Sequence, residues 1–157
     1  MSKSLASLVD QILSSALEEL ELRSFPLFTF AFYRDHESNA ISVCADTEES
    51  SRRAVVSSNK FSYGYFREFV ESGEMKRAAL WQSNAGRSFS LGDFAAVNLS
   101  RRQLPSSFDE QALFLEMVRG VLKVQQRAAL LSPQPEALAL AVSGPDSEVQ
   151  LVWCPGA

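Results

Sequence analysis

Five carboxylates near the two ends of one predicted β-hairpin are the residues best suited to chemistry. They are Asp35, Glu37, Asp46, Glu48 and Glu49. Carboxylates grouped in one site bind hard cations or act as general acid and base. The alternative is that Glu48 and Glu49 stand in the first turn of a helix, where the helix dipole favours negative charge. A hydrolase that depends on carboxylates alone is the enzyme class that the sequence leaves open.

The residues of other common catalytic sites do not occur together in this sequence. His36 is the only histidine, it lies in a predicted turn, and no cysteine stands near it at zinc-ligand spacing. No G-x-S-x-G motif and no glycine-rich phosphate loop occurs. We therefore predict a protein that is not an enzyme, with no catalytic residue, no metal and no cofactor.

The charge distribution indicates what kind of partner the chain would bind. The net charge is −4, and residues 1–50 carry 9 acidic but only 3 basic side chains. An acidic segment repels phosphate backbones and suits a basic protein partner. We therefore predict a protein partner and no nucleic acid.

The start of the chain resembles neither a signal peptide nor a membrane span. Asp10 and Glu18 interrupt it before a continuous apolar segment forms. We predict a cytoplasmic protein with no membrane contact. In that compartment Cys44 and Cys154 are expected to be buried thiols, with a disulfide between them as the alternative.

A β-hairpin is the strongest structural signal. Phe28, Phe30 and Phe32 alternate with largely apolar neighbours, which indicates a central strand covered on both faces. After a polar turn, residues 41–46 alternate again. We predict antiparallel pairing of residues 25–34 with residues 40–46.

Two helices and a second hairpin complete the predicted fold. Residues 4–22 form an amphipathic helix with Ser4 as its N-cap, and a longer helix runs from a capping box at Ser107 to about Leu131. Residues 137–142 and 149–153 flank a turn. The prediction is one α+β domain, residues 1–157, in which an N-terminal and a C-terminal hairpin build an antiparallel sheet packed by the two helices. The N-terminal apolar stripe covers this sheet or, alternatively, forms a dimer seam, so monomer and homodimer both stay open.

The middle of the chain gives weaker signals. We predict a helical turn through Arg53, a strand or loop at residues 54–58, a helix from Tyr65 to Ser72 stopped by Gly73, a strand or helix at residues 78–82, and a short helix or turn at residues 91–98. Tyr63 and Tyr65 belong either to a core or to a binding surface, because tyrosine offers a large contact area with a polar tip.

The order of these features resembles a family of small bacterial proteins of undefined biochemistry. The resemblance rests on the run FTFAFYRDHESNAISVCADTEE, a later aromatic stretch with Trp81, the segment FDEQALFLEMVRGVLKVQQRAAL, and LALAVSGPDSE. The family includes proposed immunity proteins of polymorphic and type VI secretion toxins. In such proteins the middle segment tends to be rich in tryptophan, whereas this chain has Phe61, Tyr63, Tyr65 and Phe66 there.

The resemblance implies a function without catalysis. We expect a cytoplasmic immunity protein that neutralises a cognate toxin or effector by occluding its active site. The alternatives are an acidic secretion chaperone or adaptor and the carboxylate-based hydrolase. The predicted partner-binding residues are Asp46, Glu48, Glu49, Tyr63 and Tyr65, which combine acidic charge with aromatic area.

Overall fold

The computed structural model describes residues 4–156, which form two compact units. The first unit contains residues 4–48 and 91–156, and the second contains residues 49–90. The assignment of the whole chain to one domain stays a prediction.

The first unit is a five-stranded sheet with two helices, so the predicted α+β fold is confirmed. The strand order is β3-β2-β1-β4-β5, and the strands are β1 (Thr29–Asp35), β2 (Ala40–Asp46), β3 (Ala96–Gln103), β4 (Ala139–Val142) and β5 (Leu151–Trp153). Both predicted hairpins are present, since β1 pairs with β2 and β4 pairs with β5 in antiparallel fashion. The hairpins join through a parallel pairing of β1 with β4.

Strand β1 lies in the middle of the sheet, as its apolar sequence predicts. Its register with β2 runs from Thr29 opposite Asp46 to Asp35 opposite Ala40. Phe30 and Phe32 are fully buried in the core. The strand begins four residues later than the predicted Phe25, although Phe25 and Leu27 are also buried in that core.

The two long helices of this unit are α1 (Leu5–Leu22) and α4 (Glu110–Leu130). Ser4 caps α1 as predicted by accepting a hydrogen bond from the Ser7 N–H at 3.2 Å. The cap of α4 was predicted wrongly at Ser107. Asp109 is the N-cap, and its Oδ1 accepts a hydrogen bond from the Ala112 N–H at 2.8 Å.

Helices α1 and α4 contact each other and the sheet. The predicted apolar stripe of α1 is buried, from Val9 through Leu20. On α4 the buried positions are Leu113, Met117, Gly120, Val121 and Ala128, with Phe114, Val118 and Val124 half-buried beside them. Burial within the chain's own core therefore accounts for the α1 stripe without a dimer seam.

The predicted helix or turn at residues 91–98 was only partly right. A single 3₁₀ turn covers Leu91–Asp93, and the chain then enters β3. This strand has little apolar alternation because it is an irregular edge strand. Its pairing with β2 shifts register twice, and Asn98 and Ser100 have positive φ angles. Pairing with a buried neighbour decides its conformation, which the local pattern does not encode.

The second unit is a helical hairpin formed by α2 (Glu48–Glu71, which begins one residue before the unit) and α3 (Met75–Ala79). The predicted break at residues 54–58 was wrong, because α2 continues through it. The predicted stop was right: Gly73 follows the helix with φ +77°, which glycine adopts without steric cost. Trp81 lies in a turn just after α3, so residues 78–82 form no strand.

The segment after α2 runs back along it, as four contacts show. Arg77 lies over the Phe69 ring at 5.7 Å, and Trp81 stacks on Tyr65 at 4.5 Å. The Asn59 and Asn84 pair exchanges two hydrogen bonds, from Asn59 Nδ2 to the Asn84 carbonyl at 2.8 Å and from the Asn84 N–H to Asn59 Oδ1 at 2.9 Å. The Ser88 N–H donates to Ser51 Oγ at 2.9 Å.

Candidate partner-binding surfaces

The predicted site residue Asp46 is not a surface charge. It ends β2 with only 1% of its surface exposed, and its Oδ1 accepts a hydrogen bond from the Ala95 N–H at 3.1 Å. Its role in this structure is to hold the chain that enters β3. Glu48 is half-buried, and its Oε2 accepts a hydrogen bond from Gln134 Nε2 at 3.2 Å.

The other three predicted residues lie in the second unit and are exposed. Glu49 is open to solvent, with its carboxylate 4.0 Å from the Arg53 guanidinium. Tyr63 is 59% exposed and Tyr65 is 41% exposed. Both tyrosines are therefore surface residues, which agrees with the binding interpretation and excludes the interpretation that they fill a core.

The five acids of the hairpin do not form one site. Asp35 and Asp46 stand at opposite ends of the β1 and β2 pair, about 20 Å apart at the rise of a strand. A single catalytic centre that uses both carboxylates is therefore excluded.

The structure instead brings together acids from two turns, in an arrangement that the local sequence patterns do not predict. Because β1 and β4 are parallel neighbours, their C-terminal ends lie side by side. The turn after β1 and the loop after β4 are therefore close to each other. His36 Nε2 lies 3.3 Å from the Gly144 carbonyl oxygen and links them. We call the concave surface that they form the acidic groove; its acids are Asp35, Glu37, Asp146 and Glu148.

Two cavities of about 420 Å³ each make up the acidic groove. They share Tyr33, Asp35 and Glu148 as lining residues. The cavity on the β3 side adds Cys44 and Arg101, besides Leu91, Gly92, Val97 and Asn98. The groove is therefore polar, and Tyr33 of β1 supplies a phenol to its lining.

Asp35 is the best-held acid of the groove. Its Oδ2 accepts a hydrogen bond from Arg101 Nη2 at 2.6 Å, and its Oδ1 accepts the backbone N–H groups of Glu37 and Ser38 at 3.1 and 3.2 Å. The hydrogen bond from Arg101, followed by that from the Ser38 backbone, lowers the pKa of the Asp35 carboxyl. Asp35 is thus ionised at neutral pH and occupied by its own partners.

The thiol and phenol of the groove are not activated nucleophiles or bases. Burial raises the pKa of Cys44. Burial and the neighbouring charges of Asp35 and Glu148 raise the pKa of Tyr33. Both groups therefore carry their protons at neutral pH, where neither is a thiolate or phenolate nucleophile.

The predicted state of the cysteines was right for one residue only. Both are free, Cys44 is buried and Cys154 is exposed. Cys154 lies just after the short edge strand β5, where no element covers the side chain.

The surface of α2 is the second candidate. Of its 24 residues only Ser51 is buried. Large apolar side chains stand exposed along it, namely Val56, Phe61, Tyr63, Tyr65 and Val70. Val56, Tyr63 and Val70 recur every seven residues and so form one stripe, whereas Phe61 and Tyr65 lie on another flank of the helix.

The helical spacing of the residues around Phe61 could have been recognised in the sequence. Phe61, Gly64, Tyr65 and Glu68 stand at steps of three, four and seven, which places them on one helical face. The signal was hidden because Phe61, Tyr63 and Tyr65 also alternate like strand residues. For the acidic groove no local signal existed, since Glu37 and Glu148 are 111 positions apart.

Comparison with known proteins identifies no relative of this chain. No family model, curated protein or solved structure matches the chain. Among residues 4–156 no helix has both the length and the apolar content needed to cross a membrane. Across the same described residues, no three His, Cys, Asp or Glu side chains are grouped in a way that would hold a metal ion.

Proposed function

We propose that this protein is a cytoplasmic, non-enzymatic immunity protein that binds a cognate bacterial toxin and occludes its active site. The observation that carries the binding role is the exposed apolar surface of α2. The resemblance to proposed immunity proteins supplies the identity of the partner as a toxin.

The α2 surface has the composition of a protein-binding site. Tyrosine and phenylalanine are enriched at interfaces because they bury a large area at a small entropic cost. Tyr63 is 59% exposed and Phe61 is 64% exposed, although such side chains normally fill a core. A stripe of exposed apolar residues along one flank of a helix, here Val56, Tyr63 and Val70, is typical of a surface that a partner covers.

The acidic groove supports a basic partner. Its surface acids come from the turn after β1 and the loop after β4, namely Glu37, Asp146 and Glu148. Negative charge on this surface would attract a basic partner, and complementary charge mainly increases the association rate. Toxins that act on nucleic acids or nucleotides commonly have basic clefts. Asp46 contributes no charge to a partner surface, because it is buried.

The test combines capture with a growth assay. The full chain is immobilised, a partner is captured from the native host, and that partner is expressed in a second bacterium with and without this protein. We expect the partner to arrest growth alone and the protein to restore it. Tyr63→Glu should abolish the rescue because it places a charge in the apolar stripe.

Leu122→Glu is the matched control. Leu122 is an exposed apolar residue on α4, 48% accessible, so its substitution adds the same charge away from α2. Rescue should persist in this variant. A captured partner that is harmless alone and belongs to a secretion apparatus would replace this proposal with the chaperone alternative.

A further inference from the structure

The flank of α2 that carries Phe61, on the side of the helix away from the apolar stripe of Val56, Tyr63 and Val70, contains a small open pocket. Phe61, Gly64, Tyr65 and Glu68 line it, and its volume is about 360 Å³. We propose that this pocket, here called the aromatic pocket, binds a cationic side chain of a protein partner, a guanidinium or an ammonium group. The inference rests on the proposed function only in that the cation belongs to a protein.

The two rings of the pocket form a wedge. The Phe61 and Tyr65 centroids are 5.5 Å apart and their planes meet at 59°. A cation within about 6 Å of a ring centroid is attracted by the negative face of the ring. A side chain entering this wedge approaches both rings at once.

Trp81 fixes the position of these rings. It stacks on Tyr65 with centroids 4.5 Å apart and an interplanar angle of 23°, and it meets Phe61 edge-on at 6.3 Å. Three mutually packed rings lose little further freedom when a ligand arrives, which favours binding. The wall of the pocket is thus formed before the partner is present.

Glu68 supplies the charge. The neighbouring cation of α2, Arg67, is engaged by Glu71, since its Nε lies 2.9 Å from Glu71 Oε1. Glu68 takes part in none of the ion pairs among the described residues of this unit. An aromatic wedge with a carboxylate at its edge favours a cation over a neutral apolar side chain, because both the rings and the carboxylate attract positive charge.

Gly64 leaves the floor of the pocket open. A Cβ placed there would meet no atom within 4 Å, so the backbone is accessible between the two aromatic residues. The aliphatic part of an arginine or lysine side chain can lie along the exposed backbone at Gly64, while its charged end reaches Glu68. A larger residue at position 64 would fill this space.

The probe for the test is N-acetyl-arginine methylamide, with the citrulline derivative as its uncharged isostere. Two-dimensional NMR of the full chain follows the amides of Gly64 and Tyr65 and the indole of Trp81. The indole of Trp153, which donates to Gln125 Oε1 at 3.3 Å in the other unit, is the internal control. We expect saturable shifts at the pocket, with affinity for the arginine derivative about two- to fivefold higher than for citrulline.

Variants separate charge from shape. Glu68→Gln should weaken the arginine titration about twofold or more, whereas Glu49→Gln, near the opposite end of α2, should leave it unchanged. Equal shifts with both probes, or an unaltered titration of Glu68→Gln, would overturn the aromatic pocket as a cation site. The immunity proposal is tested separately through Tyr63, so toxin rescue that survives alongside a failed titration removes the pocket alone.

Discussion

Single side chains in this protein join parts of the fold that are distant in sequence. Arg34 is 6% exposed and donates to Glu110 Oε1 at 2.9 Å, to Asn39 Oδ1 at 3.1 Å and to the Asp35 carbonyl at 2.7 Å. It thereby ties β1 and its turn to the start of α4. Asp35 also joins separate parts of the fold, because its carboxylate binds backbone N–H groups of its own turn and the guanidinium of Arg101 in β3.

The interaction of Asp35 with Arg101 predicts an acid dependence of stability. The folded-state pKa of Asp35 lies below its unfolded value, so its contribution is fully present above about pH 4 and is lost as pH falls through the folded pKa. We expect Asp35→Asn to flatten the decline of the urea midpoint between about pH 5 and pH 2. Arg101→Gln should flatten it in part. An unchanged slope in Asp35→Asn would show that the ion pair does not stabilise the fold.

Phe30 tests the core at the centre of the sheet. Its side chain has no exposed surface, and emptying such a site costs roughly 3 to 5 kcal/mol. We expect Phe30→Ala to lose that amount in urea unfolding followed by far-UV circular dichroism. Leu130→Ala is the control, since Leu130 is 87% exposed and should change stability by about 0.5 kcal/mol or less.

At the scale of elements, the contact between α1 and α4 organises the first unit. The helices approach closely at Gly120, where an added Cβ would lie 2.5 Å from Val9 Cγ1 and 2.8 Å from Leu13 Cδ1. Farther along, Arg127 makes two hydrogen bonds to Glu21, at 2.6 and 3.0 Å. The small residue sets the separation of the helices, and the ion pair lies at the surface beside them.

Gly120→Ala tests the close approach of the helices. Alanine favours a helix by about 1 kcal/mol over glycine, but here its methyl group enters occupied space, which costs about 1 to 3 kcal/mol. We expect no stabilisation, and a loss if Val9 cannot shift. Gly64→Ala, whose Cβ meets nothing within 4 Å, should show the helix-propensity gain. Equal gains in thermal unfolding of the two variants would contradict close packing at Gly120.

At the scale of the whole molecule, the two units differ in charge and in burial. Residues 49–90 carry 7 basic and 4 acidic side chains, whereas the remainder carries 8 basic and 15 acidic. The first unit has a continuous core, whereas α2 buries a single residue. Helices with few buried contacts open at low free-energy cost.

Hydrogen exchange should therefore distinguish the units. We expect the amides of residues 55–70 in α2 to exchange about tenfold or more faster than those of residues 9–20 in α1. The measurement is native-state exchange by NMR at neutral pH. Equal protection of α1 and α2 would mean that α2 is stabilised by contacts beyond side-chain burial. Addition of the captured partner should slow exchange in α2 specifically.

The elements with strong local patterns can be predicted from the sequence. Helix α1 and both hairpins follow from periodicity, and the stop at Gly73 follows from its tolerance of positive φ. These features are local, because each depends on residues that lie within a few turns or one hairpin. The α+β class follows from their order along the chain.

How these elements combine into surfaces depends on contacts between residues that are distant in the sequence. The parallel pairing of β1 with β4 places Glu37 beside Glu148, and no local pattern encodes a pairing between strands about a hundred residues apart. Burial removed Asp46 from the predicted interface, since its carboxylate holds the Ala95 N–H. The aromatic residues of α2 alternate like a strand, yet the returning segment with Trp81 packs against a helix. These features depend on long-range pairing and burial. Both cost chain entropy, which is offset only by the contacts of the complete fold.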